Sequence, residues 1–291
     1  MALWTLASIN ADLVYQVPHL PKPGETLSAA GFERFLGGKG TNMAVAAARA
    51  AARVCMIGAV GPDGQWATER LLEYGVDTRY VSQVAVPTGH AIIALDEHAE
   101  NQIIICSSAN RAIPEASIGQ ALSEAQAGDF VLIQNETNGQ EIAAEMGRKL
   151  GLRVCYAAAP FDADAVRAVL PFLDFLILNQ VEAEQLSDAT GLTPPELGVR
   201  DVIVTLGANG CDWHDTANAQ CHHFEAVKVD AVDTTGAGDT FTGYVLAGLD
   251  RGRPMAQAIL QATQAAALMV TRRGTADVIP DLKDVQDAMF G

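Results

Sequence analysis

The chain has 291 residues, and 49% of them are hydrophobic, which suffices for a sizeable core in one large α/β domain or two smaller ones. Its formal net charge of -16 argues against nucleic acid and anionic membranes as partners, because both bind basic surfaces. The odd number of cysteines, scattered along the chain, favours reduced thiols in a cytoplasmic protein over a disulfide framework.

Short apolar strands alternate with helical segments along most of the chain. The segment "LWTLASI" predicts a first buried strand, and since no basic n-region precedes it we expect no signal peptide. A helix, a strand and a second helix are predicted in "TNMAVAAARAAA", "VCMIGAV" and "ATERLLEYG". The alternation resumes with "FVLIQ", "IAAEMGRKLG", "RVCYAAA", "DFLILN", "VEAEQLSDA" and "DVIVTLG". This order predicts a doubly wound, mainly parallel sheet with helices on both faces and ligands at the C-terminal ends of its strands. No apolar run approaches the length of a membrane span.

Two regions interrupt this alternation, residues 12–36 and 88–106. In the second region, "HAIIAL" and "NQIIIC" flank the polar turn "DEHAE", as in a β-hairpin. We predict that both regions form a small β-sheet lid inserted in a single domain of residues 1–291. A lid of this kind could exclude water from a transfer reaction and offer a surface for dimerisation.

Polar side chains follow the first predicted strand. Asn10 and Asp12 in "SINAD" are a carboxamide and a carboxylate, which together can hold two vicinal hydroxyls of a ligand. The alternative is an ordinary Asx turn at the end of the strand.

The glycine-rich string "FLGGKGTNMAV" precedes the first predicted helix. Its glycines would let a ligand approach the backbone, and Lys39 and Asn42 supply donors at the helix start. It is not a phosphate-binding P-loop, because Gly40 and not Ser or Thr follows Lys39.

A second small-residue string, "DTTGAGDTFT", precedes the apolar helical pattern of "TFTGYVLAGLDRG". Free amides of Gly236, Ala237 and Gly238 would face outward at the helix start, where the helix dipole attracts anions. Alternatively, Asp239 only caps the helix and the glycines only make the turn.

The order "SINAD", "PGE", "GGKGTN", "NQVE" and "DTTGAGD" resembles the ribokinase family of carbohydrate kinases over almost the whole chain. The resemblance implies a three-layer α/β/α domain with a β-sheet lid, ATP and Mg²⁺ as cosubstrates, and phosphoryl transfer to the hydroxymethyl group of a sugar. It also implies a homodimer formed through the lid.

By this resemblance Asp239 is the base for the sugar hydroxyl, and the amides of Gly236, Ala237 and Gly238 stabilise the transferring phosphoryl group. The implied sugar site consists of Asn10, Asp12, Gly38, Lys39, Asn42, Glu136 and Asp239. The implied nucleotide and magnesium residues are Asn179, Glu182, Thr205, Gly207, Gly210 and Gly238, with Glu182 holding Mg²⁺ through water.

The resemblance further implies a monovalent-cation loop that would bind K⁺. Its residues are Asp233, Thr235, Met269, Arg272 and Gly274, the last three through their carbonyls. Val278 stands where the family usually offers a serine hydroxyl, and an apolar side chain cannot ligate a hard cation. Potassium activation is therefore in question.

Other readings remain open. The Cys and His residues between Cys211 and His223 match no familiar zinc-finger spacing, and we interpret them as part of an exposed hairpin. Within the family, we expect ribose or a related free sugar as the substrate of this chain. The alternatives are 2-deoxyribose, fructose, a sugar phosphate paired with Arg111, or a nucleoside. A non-catalytic sugar-binding protein is a further alternative, against which the presence of Asp239 argues.

Overall fold

The structure is a computed structural model that describes residues 1–98 and 100–288. In this part of the chain the strands, numbered β1 to β13, are Leu3–Leu6, Asn10–Gln16, Gly31–Gly37, Val54–Val60, Val76–Gln83, Gly89–Leu95, Asn101–Cys106, Phe130–Gln134, Arg153–Ala157, Phe175–Asn179, Asp201–Thr205, Cys211–Asp215 and Gln220–Phe224. In the same ranges the α-helices, numbered α1 to α9, are Lys39–Arg49, Gln65–Glu73, Glu115–Leu122, Gln140–Lys149, Ala163–Val169, Gln180–Thr190, Ala237–Asp250, Met255–Val270 and Leu282–Asp287. Short 3-10 turns span Ser108–Arg111, Leu170–Phe172, Pro194–Leu197, Gly207–Asn209 and Ala276–Val278.

The larger sheet has the order β13-β12-β11-β10-β9-β8-β1-β4-β5. Along this order, neighbouring strands from β11 to β5 pair in parallel. Among the described strands of this sheet, only the edge hairpin of β12 and β13 runs antiparallel. Strand β4 is buried along its whole length, as expected for an apolar run in a parallel sheet covered on both faces. Two clusters of buried side chains flank the sheet, so the predicted three-layer α/β/α fold class is confirmed.

The smaller sheet has the order β3-β2-β6-β7, with antiparallel pairs at both edges and a parallel pair between β2 and β6. The predicted hairpin corresponds to β6 and β7. Ala99 in its predicted turn and residues 289–291 of the predicted domain lie outside the described residues.

The first predicted strand is shorter in the structure, because only Leu3–Leu6 of the segment "LWTLASI" form β1. β1 ends at Leu6, and Asn10 already belongs to β2 of the small sheet, so the intervening residues cross from one sheet to the other. Ala7 and Ile9 are nevertheless buried, which explains why the sequence shows one uninterrupted apolar run. The small sheet therefore begins two residues earlier than its predicted start at Asp12.

Helices α1 and α7 pack closely on the same side of the larger sheet. A Cβ atom at Gly243 would lie 2.5 Å from the carbonyl oxygen of Met43 and 2.6 Å from Cβ of Ala46, so only glycine permits this approach. This packing brings the N-terminal turns of the two helices together. None of the described helices combines the length and apolar character needed to cross a membrane.

Candidate active site

The carboxylate of Asp239 lies in the first turn of α7. The helix begins after Gly236, whose φ of 79° is in the left-handed region, and no side chain caps it among the described residues. Asp239 instead accepts a hydrogen bond from Nδ2 of Asn42 in α1 at 2.9 Å. The reading of Asp239 as a simple helix cap is therefore wrong.

A second carboxylate approaches the start of α1. Glu136 follows β8, and its Oε2 atom accepts hydrogen bonds from Oγ of Ser8 at 2.6 Å and from the backbone amide of Lys39 at 3.0 Å. The backbone amide of Gly40 in turn donates to Oγ of Ser8 at 3.1 Å. These contacts tie the ends of β1 and β8 to the N-terminus of α1, where a carboxylate is stabilised by the helix dipole.

The charged groups of this cleft influence one another. Burial raises the pKa of the Asp239 carboxyl, while the Lys39 ammonium and the hydrogen bond from Asn42 lower it. The Asp239 carboxylate in turn raises the pKa of Lys39. A raised carboxyl pKa suits a general base at neutral pH, and the neighbouring ammonium favours the ionised form of that carboxyl.

Asn10 and Asp12 lie on strand β2, two residues apart, so their side chains lie on the same face of the small sheet. Asn10 is 5% exposed, and its Oδ1 atom accepts a hydrogen bond from Nδ2 of Asn110 at 2.7 Å. Burial and the negative charge of Glu136 raise the pKa of Asp12 to about 7. Asp12 and Glu136 therefore face the same cleft, and the Asx-turn reading is replaced by a strand.

The residues predicted for the nucleotide follow neighbouring strands. Asn179 ends β10 and pairs with Thr205 at the end of β11. Asn179 and Glu182 form a capping box at the start of α6, with hydrogen bonds of 2.8 Å in both directions. Gly207 and Gly210 lie in the turn after β11. This places them at the C-terminal edge of the sheet, the edge that also carries Glu136 and Ser8.

The residues predicted for the cation loop lie in two segments, one before α7 and one at the end of α8 and just after it. Oδ1 of Asp233 accepts from the amide of Thr235 at 2.9 Å, and Oδ2 accepts from the amide of Gly274 at 3.2 Å. The carbonyl of Met269 accepts from the amide of Arg272 at 2.9 Å. Asp233 thus joins the two segments, and the side chain of Val278 offers no oxygen.

Three polar residues of this region were missed or misread from the sequence. Ser8 and Asn110 were not singled out, although both belong to short polar strings beside predicted strands. For Arg111, the sequence suggests a partner for a substrate phosphate. Its guanidinium instead donates to the carbonyls of Thr137 at 2.7 Å and Asn135 at 2.8 Å, and so supports the loop that carries Glu136.

The cysteine and histidine residues near the end of the larger sheet form its edge hairpin. Cys211 is buried in β12, whereas Cys221 and His223 are exposed on β13. Within residues 1–98 and 100–288, no three His, Cys, Asp or Glu side chains cluster as a metal site would require. The zinc reading therefore gains no support, and the hairpin interpretation is confirmed.

Comparison with known proteins agrees with the class of protein that this fold indicates, an α/β kinase of small molecules. The profile described as "pfkB family carbohydrate kinase" matches residues 3–282, so the chain belongs to this family and is a carbohydrate kinase of the ribokinase type.

Individual relatives lie within the same family. The ribokinase of Haemophilus influenzae is 34% identical over 96% of this chain and 95% of that protein. The deoxyribokinase of Salmonella typhi is 30% identical over 99% of this chain and 98% of that protein. Among solved structures, the ribokinase of Arabidopsis thaliana complexed with ribose and ATP is 31% identical, with a TM-score of 0.86 and 98% of both chains covered.

Proposed function

We propose that this carbohydrate kinase transfers the γ-phosphoryl group of MgATP to the hydroxymethyl group of ribose or a closely related free sugar. The observation that carries the proposal is the position of Asp239: a carboxylate of raised pKa at the N-terminus of α7, hydrogen-bonded to Asn42 and beside Lys39. In this role Asp239 takes the proton of the attacking hydroxyl. The amides of Gly236 and Gly238 stabilise the charge on the transferring group, whereas the amide of Ala237, predicted to be free, donates to the carbonyl of Thr234 at 3.2 Å.

The cleft offers several polar groups to a sugar. Glu136, Asn42 and Asp239 approach from the larger sheet and its helices, and Asn10 and Asp12 approach from the small sheet. Lys39 supplies a cation, and Gly38 precedes the start of α1. A free sugar matches this set, because each hydroxyl can both donate to a carboxylate and accept from an amide or ammonium group.

The use of ATP is supported by the ribokinase of Arabidopsis thaliana, whose structure holds ribose and ATP. In this chain Thr205, Gly207 and Gly210 would contact the nucleotide at the edge of the sheet, and Gly238 its phosphates. Glu182 fits magnesium held through water, because it is half-buried and only its Oε2 atom takes part in the capping box. The ion would neutralise phosphate charge during transfer.

A potassium ion and a second copy of the chain are further parts of the proposal. The potassium site would use Asp233, Thr235 and the carbonyls of Met269, Arg272 and Gly274. Both oxygens of Asp233 already accept backbone hydrogen bonds, so any cation would depend mainly on carbonyl oxygens. A homodimer through the small sheet would cover β7, whose residues are all exposed. A cytoplasmic location is also part of the proposal, and the free cysteines support it.

A second candidate substrate is 2-deoxyribose, because a deoxyribokinase is 30% identical over 99% of the chain. Fructose, sugar phosphates and nucleosides remain alternatives, and Arg111 no longer supports a sugar phosphate because its guanidinium binds backbone carbonyls.

An assay that couples ADP release to NADH oxidation, run on a panel of pentoses, hexoses, sugar phosphates and nucleosides, tests the proposal. We expect ribose or 2-deoxyribose to give the highest kcat/KM. A sugar phosphate or nucleoside that exceeds every free pentose by about tenfold would contradict the assignment. Absence of turnover with every substrate, despite calorimetric binding of ribose, would favour the non-catalytic alternative.

A further inference from the structure

The side-chain amide of Asn10 is held by a second, buried amide. Asn110 lies in the 3-10 turn after β7 and is 1% exposed. Its Oδ1 atom accepts a hydrogen bond from the backbone amide of Ile9 at 2.8 Å, and its Nδ2 atom donates to Oδ1 of Asn10 at 2.7 Å. A backbone N–H group can only donate, so Ile9 determines which end of Asn110 is the oxygen. The orientation of Asn110 then determines the orientation of Asn10.

The surrounding backbone is shaped for this pair of amides. Gly89 of β6 is the register partner of Asn10 in the small sheet. A Cβ atom at Gly89 would lie 2.2 Å from Nδ2 of Asn110 and 2.6 Å from Oδ1 of Asn10. The two amides can therefore meet only because this position is glycine. The carbonyl of Asn110 also accepts from the amide of Asn138 at 3.2 Å, which ties the turn to the loop that carries Glu136.

The contact leaves one group of Asn10 without a partner. Its Oδ1 atom is occupied by Asn110, while its Nδ2 atom donates to no residue in the described ranges and is not sealed from solvent. Two residues further along the same face of β2 is the carboxylate of Asp12. A fixed donor and an acceptor therefore stand side by side on one wall of the cleft.

We propose that Asn110 is a positioning residue that sets the hydrogen-bond polarity of the sugar site. It holds Nδ2 of Asn10 toward the cleft, where this group donates to a hydroxyl oxygen of the substrate. The matching ligand is a vicinal diol, with one hydroxyl accepting from Asn10 and its neighbour donating to Asp12. The inference rests on the proposed sugar site and assigns a role to a residue outside it.

The variant Asn110→Asp tests this role. Aspartate keeps the shape of asparagine and an acceptor for the Ile9 amide, but its ionised carboxylate cannot donate from the position of Nδ2. Asn10 would then rotate to donate to the new carboxylate, and it would present its oxygen to the substrate. We expect Kd and KM for D-ribose to rise about 10- to 100-fold, because the oxygen of Asn10 would then face a substrate oxygen and neither atom could donate a hydrogen bond to the other. The value of kcat should stay within about threefold and KM for ATP should not change, since neither reports on a sugar hydroxyl.

A matched control and a double-mutant cycle separate this role from a structural one. Asn138→Asp makes the same chemical change in the neighbouring loop, where the side-chain amide of Asn138 contacts the backbone of Ile113. This variant should leave Kd for ribose unchanged. In an Asn10→Ala background, Asn110→Asp should weaken ribose binding by less than about twofold, because its effect passes through Asn10.

Several outcomes would overturn the proposal. These are a wild-type Kd in Asn110→Asp, an equal loss in Asn138→Asp, or effects of Asn10→Ala and Asn110→Asp that multiply. If Asn110→Asp does not fold, Asn110→Ser, which keeps a hydroxyl acceptor but cannot reach Asn10, takes its place with the same expected direction. Calorimetric ribose binding by the wild type without turnover would refute the proposed function alone, whereas absence of binding by ribose and by every other free sugar of the panel would refute both proposals.

Discussion

Nδ2 of Asn42 donates a hydrogen bond to Oδ2 of Asp239 over 2.9 Å, and this contact joins the first turns of α1 and α7. The two residues are 197 positions apart in the chain. Their meeting depends on the close packing at Gly243, which lets α7 approach the backbone of Met43. One helix start therefore orients the carboxylate that the other helix start carries. The predictions below follow from this arrangement and from the charges around it.

Asp239→Asn should lower kcat by about 10² to 10⁴, the usual cost of losing a general base. Asparagine keeps the shape of the side chain, so calorimetric Kd values for sugar and ATP should stay within a few-fold. Asp162→Asn is a matched control, because Asp162 is an exposed N-cap of α5 and asparagine caps equally well. A near-native kcat in Asp239→Asn would remove the assignment of the base.

Asn42→Ala should lower kcat about tenfold, because Asp239 loses the group that orients it. The hydrogen bond from Asn42 lowers the pKa of Asp239, so its removal raises that pKa further. A base works in its ionised form, and the acidic limb of the pH profile of kcat/KM should therefore move to higher pH. An unshifted limb would show that Asn42 does not act through Asp239.

Burial and the charge of Glu136 raise the pKa of Asp12 to about 7. The affinity for sugar should therefore rise as the pH increases through about 7. The ionised carboxylate is the better acceptor for a sugar hydroxyl, so KM for ribose should fall between pH 6 and pH 8. Asp12→Asn should abolish this dependence while leaving the pH dependence of kcat in place. A dependence of KM that persists in Asp12→Asn would assign it to another group.

The same raised pKa makes a prediction about stability. Between the unfolded pKa of about 4 and the folded pKa of about 7, the native protein binds more protons at Asp12 than the unfolded chain does. This contribution to the free energy of unfolding is therefore present at low pH and is lost as the pH rises through 7. Urea unfolding should show Asp12→Asn gaining stability over the wild type from pH 4 to pH 8. A constant difference between the two proteins would contradict the raised pKa.

Potassium should activate the enzyme if carbonyl oxygens suffice for the proposed site, and Val278→Ser should then lower the K⁺ concentration needed. A hydroxyl adds the oxygen ligand that valine lacks. Initial rates in K⁺ are compared with rates in tetramethylammonium at constant ionic strength. Equal rates in both salts for both proteins would remove the cation from the proposal.

The small sheet should pair with that of a second copy. Ile103, Ile104 and Ile105 of the edge strand β7 are 50% to 64% exposed, and an exposed apolar edge is a surface that proteins normally cover. Light scattering at micromolar concentration should give a dimer mass, and Ile104→Asp should give a monomer. Leu72→Asp on α2, where Leu72 is 56% exposed, is the matched control and should stay dimeric. A monomer mass for the wild type would refute the dimer.

The parts of the site carried by local signals could be predicted. The start of α7 follows from Gly236, whose φ of 79° suits glycine, and from the apolar pattern after it. The hairpin of β6 and β7 follows from two apolar runs around a polar turn. The capping box of Asn179 and Glu182 also lies within one turn of chain, so it depends on local sequence alone.

The sequence by itself thus determined the alternation of strands and helices, the helix starts and the residue types at the strand ends, because these depend on neighbours a few positions away. Only the tertiary structure decided that Ser8 holds Glu136 and that Asn110 orients Asn10, across 128 and 100 positions of chain. It also decided that the Arg111 guanidinium binds backbone carbonyls and that the first strand ends at Leu6, before the end of its apolar run. Such contacts depend on the order and register of strands, which a local pattern of hydrophobic and polar residues does not specify.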